Sequence, residues 1–234
     1  MVLHLEEKRL MFVKENKKMN YEKKYGTPFP VIEVSLAQNE SICIEPGTMV
    51  YSDPTLSFET IMNSTRQKRT GGKSVGLFSR ANKLLTVVQG TEAARVAVAP
   101  CVPGDIIELE CNDHTGQQWE IIGGAFLACD MAINFEVVQT SWGGLFSGGI
   151  PICVLKTSGN GSCIVDSCGN LQKFNLNGQK TINVDVNHLV AWTSGLKYNA
   201  FMQRGTLWTA HTAQFSGQGS VIVQSNCRVT PAAK

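Results

Sequence analysis

Few residues in this chain have the types and spacing for chemistry, and the sharpest set is Gly72-Lys73-Ser74-Val75-Gly76. It satisfies G-x-S-x-G, the turn that lifts a serine nucleophile above a sheet, and it contains the GKS of a phosphate loop. Both readings fail on context. A nucleophile elbow follows a buried strand and opens a helix, but NSTRQKRT precedes this one, and a phosphate loop wants glycine where Gln67 stands. A second set is Asp185 and His188 in DVNHLV, an acid and a base close enough to act on a hydroxyl from elsewhere. A third is Gly143-Gly144-Leu145-Phe146-Ser147-Gly148-Gly149, as glycine-dense as a phosphate-binding loop. Metal chemistry has no matching pattern. The chain contains no C-x-x-C or H-x-H, the spacings Cys101 to Cys111 and Cys163 to Cys168 fit no zinc site, and His4, His114 and His211 are scattered. The expectation is a non-enzymatic protein with no catalytic residue, no cofactor and no metal.

What elements would hold such residues? Segments such as PVIEVSL, ESICIE, LLTVVQG, ARVAVAP, DIIELEC, QQWEIIG and TINVDV are short, rich in β-branched residues and bounded by Gly, Pro, Asn or Asp. Helical periodicity is weak and confined to the first 18 residues. The predicted class is all-β.

Internal echoes set the predicted architecture. GTMVYSDPTLSFET from Gly47, GAFLACDMAINFEV from Gly124 and NHLVAWTSGLKYNA from Asn187 align without gaps. Met49, Phe126 and Leu189 coincide, as do Val50, Leu127 and Val190, then Leu56, Ile133 and Leu196, then Phe58, Phe135 and Tyr198. An apolar pair two residues apart after a polar turn places both side chains on one buried face of a strand. His188 shares its column with Thr48 and Ala125, which favours a structural or partly exposed histidine over a catalytic one.

A second echo, SGNGSCIVDS from Ser158 and SGQGSVIVQS from Ser216, bears on the glycines. A dinucleotide-binding glycine loop opens a helix that faces phosphate, whereas both of these run into β-branched residues. Gly47, Gly124, Gly161 and Gly219 are therefore read as structural turns, with Gly161 and Gly219 supplying positive φ in hairpins. Gly144-Leu145-Phe146-Ser147 also returns as Gly76-Leu77-Phe78-Ser79. The four apolar residues Leu77, Phe78, Leu145 and Phe146, set among glycines, are candidate oligomer contacts.

The motifs FPVIEVSL, GTMVYSDP, VAPCVPGDIIEL, GAFLACD, SWGGLFSGG and VDVNHLVAW together resemble the altered-inheritance-of-mitochondria protein twenty-four family, from about Tyr21 to Asn226. The resemblance implies a β-sandwich, double-stranded β-helix-like fold similar to that of the tryptophan RNA-binding attenuation protein. That fold would be present three times per chain in a pseudo-threefold arrangement. It further implies bacterial relatives that resemble a ring of three subunits, and eukaryotic relatives associated with organisation of the mitochondrial inner membrane. FMQRGTLW stands where the family has a glycine-rich segment, between Ala200 and Trp208. The expected organisation is an extension over 1–20, then β repeats over 21–116, 117–178 and 179–230 in one globular unit.

Composition narrows the partners. At 234 residues and 43% hydrophobic the chain buries a large core, and a net charge of +2 with 17% charged residues gives no bulk attraction for nucleic acid. Charge is concentrated in the loop 59–83, where Arg66, Lys68, Arg69, Lys73, Arg80 and Lys83 face the single acid Glu59. This is a candidate arm for an acidic protein, an anionic membrane surface or RNA. No segment has the roughly 18 uninterrupted apolar residues of a spanning helix, and the first 24 residues carry Glu6, Glu7 and Glu15, unlike a transit peptide. A cytoplasmic protein with reduced cysteines is expected. Its predicted role is that of a homo-oligomeric scaffold, a trimer by preference, with a protein or membrane-surface partner; the alternative is an RNA- or ligand-binding ring.

Overall fold

Short β-branched runs separated by turn residues cannot each bury themselves, so they must share faces. In the computed structural model, described here for residues 18–62, 84–142, 150–202 and 211–227, they do so as 19 antiparallel strands in four sheets. After β1 (Tyr21–Lys23) come β2 (Ile32–Leu36), β3 (Ser41–Ile44), β4 (Met49–Ser52), β5 (Leu56–Met62), β6 (Leu84–Gly90) and β7 (Ala94–Val98). Then follow β8 (Ile106–Cys111), β9 (Trp119–Ile122), β10 (Phe126–Asp130), β11 (Asn134–Trp142), β12 (Ile150–Ser158) and β13 (Gly161–Asp166). The last six are β14 (Leu171–Asn177), β15 (Ile182–Asp185), β16 (Leu189–Thr193), β17 (Lys197–Met202), β18 (His211–Ser216) and β19 (Gln218–Gln224), with a 3₁₀ turn at Val186–His188.

Strand order has a step of six. The triplets β2-β7-β4, β8-β13-β10 and β14-β19-β16 are neighbours in the same order, and so are β5-β6-β3, β11-β12-β9 and β17-β18-β15. The two six-stranded sheets each join a triplet of the second kind to the next triplet of the first kind, through β3 with β10 and through β9 with β16. The outer sheets, β1-β2-β7-β4 and β15-β18-β17, stay separate.

Three cores lie between the four sheets. Ile32, Val34, Val96, Val98, Ile42 and Ile44 fill the first, Trp119, Ile121, Phe126, Phe135, Cys163 and Leu155 the second, and Trp192, Phe215, Val184 and Val221 the third. The middle sheets are buried on both faces. In β3, Ile42 and Ile44 enter the first core and Cys43 the second, as alternation along a strand requires. Of the aligned columns, Leu56, Ile133 and Leu196 are all buried, but Phe58 is exposed where Phe135 is buried and Tyr198 packs against the third core. Of the eight cysteines Cys43, Cys111, Cys129, Cys163 and Cys168 are buried, Cys153 is half-buried, and Cys101 and Cys227 are exposed.

Candidate partner interface

Chemistry at the polar positions is spent on turns. The carboxylate of Asp130, at the end of β10, accepts from the backbone N–H of Ser162 at 2.6 Å, one residue past Gly161. Thr193 Oγ1, at the end of β16, accepts from Ser220 N at 2.6 Å, one residue past Gly219, and Asp53 accepts from Arg95 N at 2.8 Å. Gly161 and Gly219 have φ of 148° and 156°, and Gly47 and Gly124 have φ of 86° and 88°. A Cβ on Gly161 would stand 2.6 Å from Asp130 Oδ2, and one on Gly219 2.2 Å from Thr193 Oγ1. The N–H groups beside these two glycines are thus taken by the protein's own side chains, and no phosphate cradle forms there.

Asp185 and His188 are not a pair. Asp185 Oδ1 accepts from the backbone and side-chain nitrogens of Asn187 at 2.9 and 3.0 Å, while His188 Nδ1 faces the carbonyl of Gln224 at 2.8 Å. Among the described residues no three His, Cys, Asp or Glu side chains gather as metal ligands, and no helix is long and apolar enough to cross a membrane. The basic residues Arg66, Lys68, Arg69, Lys73, Arg80 and Lys83, the apolar Leu77, Phe78, Leu145 and Phe146, and the Gly72 to Gly76 motif lie outside the described residues.

Instead, the structure draws attention to β4. Met49, Val50 and Tyr51 are 46%, 54% and 46% exposed, whereas Phe126, Leu127 and Ala128 of β10 are 2%, 0% and 0% exposed, and Leu189, Val190 and Ala191 of β16 are 2%, 0% and 0%. The difference comes from pairing. β10 has β13 on one side and β3 on the other, and β16 has β19 and β9, but β4 has only β7. The mirror deficiency is at β15, which has only β18 where β3 and β9 have a second neighbour. Each end of the sheet series thus carries one unpaired edge, and β4 and β15 form no ladder with each other.

Core membership sharpens this. Leu127, Ala128 and Ile164 lie in the first core, although their strands belong to the second triplet set; Val190, Ala191 and Ile222 likewise lie in the second core. The corresponding residues of the first triplet set are Val50 and Tyr51 by alignment and Ala97 by its pairing with Tyr51, as Ile164 pairs with Ala128 and Ile222 with Ala191, and neither Val50 nor Tyr51 is buried in any core. Around them is a charged frame. The Tyr51 hydroxyl donates to Glu33, holding that carboxyl below the usual carboxylate range, and Lys24 and Arg95 stand 3.3 and 3.8 Å from the same carboxylate. Sequence reading aligned Met49 and Val50 with their counterparts but missed the exposure, which alignment alone does not carry. A signal existed in the next column, where bulky Tyr51 replaces Ala128 and Ala191.

Comparison with known proteins agrees with this architecture. A family described as mitochondrial biogenesis AIM24 matches residues 21–226. An uncharacterized protein of Streptococcus pyogenes serotype M6 is 30% identical over 209 residues, covering 84% of this chain and 82% of its own. The X-ray crystal structure of a Streptococcus pyogenes protein superposes with a TM-score of 0.71 at 25% identity, over 90% of this chain and 94% of that one.

Proposed function

The chain belongs to the mitochondrial biogenesis AIM24 family, and from that premise we propose that it is a non-enzymatic scaffold that assembles head to tail, β4 of one copy joining β15 of the next. The single observation that carries this reading is the exposure of Met49, Val50 and Tyr51 on an edge whose two counterparts are paired and buried. In this reading the six-strand step marks three copies of one β module, β2 to β7, β8 to β13 and β14 to β19, similar in plan to the attenuation-protein fold. Two of the three joints between modules form within the chain; the third needs another copy.

Register follows from the two internal joints. Ala128 pairs with Ile44 and Ala191 with Ile121, so Tyr51 would pair with Val184, and Ser52 with Asn183. Val50 and Tyr51 would then cover the open side of the third core, where Ile182, Tyr198 and Ala200 are only partly buried. Such an interface is heterologous, so it ends only when a ring closes. Three copies is the preferred number. The resulting platform would present repeated, identical surfaces to a protein or membrane partner.

The test is a charge on the edge. Val50→Lys leaves the isolated chain undisturbed, since Val50 is already more than half exposed, but puts an ammonium where Leu127 and Val190 are buried. Native mass spectrometry at micromolar concentration should give a discrete oligomer for the wild type, a trimer by preference, and a monomer with unchanged circular dichroism for the variant. A monomeric wild type, or a variant that assembles as well as the wild type, overturns the reading.

A further inference from the structure

Outside that edge, a second arrangement concerns a thiol. Cys227 follows β19 and is exposed, and its Sγ lies 3.2 Å from Nε2 of His188. The other ring nitrogen, Nδ1, faces the backbone carbonyl of Gln224 at 2.8 Å. A carbonyl oxygen only accepts, so Nδ1 carries a proton and the neutral ring turns the Nε2 lone pair toward the sulfur. Buried Gln224 spans the site, its amide nitrogen donating to Asn187 O at 3.1 Å and its amide oxygen accepting from Cys168 N at 2.9 Å. These bonds fix the strand end that orients the ring.

We propose that Cys227 is a modification site, a thiol activated by His188 as general base, that takes small electrophiles of the hydroperoxide class. The chemistry of the pair supports it: the thiolate is the reactive form of cysteine, and an adjacent imidazole is the usual acceptor of its proton. Neither Cys227 nor His188 lines the cleft formed by Pro28, Phe29, Pro100, Cys101 and Val102. In the step itself Nε2 takes the thiol proton, the sulfur attacks the nearer peroxide oxygen, the S–O bond forms and the O–O bond breaks. The leaving hydroxide takes the proton back from the imidazolium as water. Sulfur is oxidised from thiol to sulfenic acid and one peroxide is reduced, so atoms and electrons balance. The exposed Cys101 is an internal control, because no hydrogen bond to an imidazole accompanies it among the described residues.

The experiment treats the full-length protein with limiting iodoacetamide, and in parallel with dilute hydrogen peroxide followed by dimedone, and reads each cysteine by peptide mass spectrometry. Cys227 should be alkylated about tenfold faster than Cys101, and the dimedone adduct should sit on Cys227. His188→Asn should bring the Cys227 rate down to that of Cys101 and leave Cys101 unchanged. Should the variant not fold, unfolding the wild type in guanidinium serves the same end, since the ratio must then collapse toward one. Equal rates in the folded wild type, a Cys227 rate that survives His188→Asn, or a ratio that survives unfolding overturns the proposal.

Discussion

Gly161 leaves room for a carboxylate from another strand, and that absence of a side chain is its whole contribution. With φ at 148° and Asp130 Oδ2 at 2.6 Å from the place of a Cβ, Gly161→Ala must move Asp130 off the Ser162 N–H. Two costs combine, backbone strain and an unsatisfied amide in a buried turn. The expected loss is about 2–4 kcal/mol in urea unfolding, with the slope unchanged. Gly195→Ala meets nothing within 4 Å and should cost far less. A residue-by-residue reading of the sequence could name Gly161 and Gly219 as turn formers from the β-branched runs that follow them. It could not find the side chains that take the N–H groups of these turns, Asp130 for Ser162, Thr193 for Ser220 and Asp53 for Arg95, because each lies 27 to 42 residues away in the chain. Cys227 and His188, 39 residues apart, were hidden for the same reason.

At the scale of elements, the joint between β3 and β10 carries a titratable group of its own. Glu45 follows β3, its N–H donates to Leu127 O at 2.9 Å, and its carboxyl is pushed up to about 8, by burial first and by Asp166 second. In the folded chain it therefore holds a proton up to about pH 8, whereas in the unfolded chain it ionises near its ordinary 4.5. Between those values the folded state binds the extra proton, so stability falls as pH rises from about 4.5 to about 8 and is flat above. Glu45→Gln removes that slope. The variant should match the wild type at pH 5 and exceed it at pH 8 by roughly 2–4 kcal/mol, as read by chemical denaturation at both values. A parallel pH profile for the two proteins would show that Glu45 is not the cause. The elements themselves were legible. Short β-branched runs bounded by Gly, Pro, Asn and Asp identified strands such as β2, β7 and β13, because branched side chains suit the pleated, buried surface these strands present. Sheet membership was not, since β3 and β4 are joined by one turn yet lie in different sheets.

For the whole molecule, layering explains why β4 stands out: four sheets enclose three cores, and the two end sheets each lack a neighbour that the inner ones have. The ungapped echoes from Gly47, Gly124 and Asn187 fall on β4, β10 and β16. They gave no sign that the first of them would be bare, because exposure belongs to position in the stack and not to the segment. One further difference among the three echoes has a consequence. The hairpin clamps are carboxylates at Asp53 and Asp130 but a hydroxyl at Thr193, and burial already raises the Asp130 carboxyl toward neutrality. Acid can discharge an aspartate and has no purchase on threonine. As vinegar-like conditions are approached, amide protection measured by deuterium uptake should therefore fade at Ser162 while Ser220 keeps its shield, so that the turn at Gly161 loosens in acid where the turn at Gly219 holds.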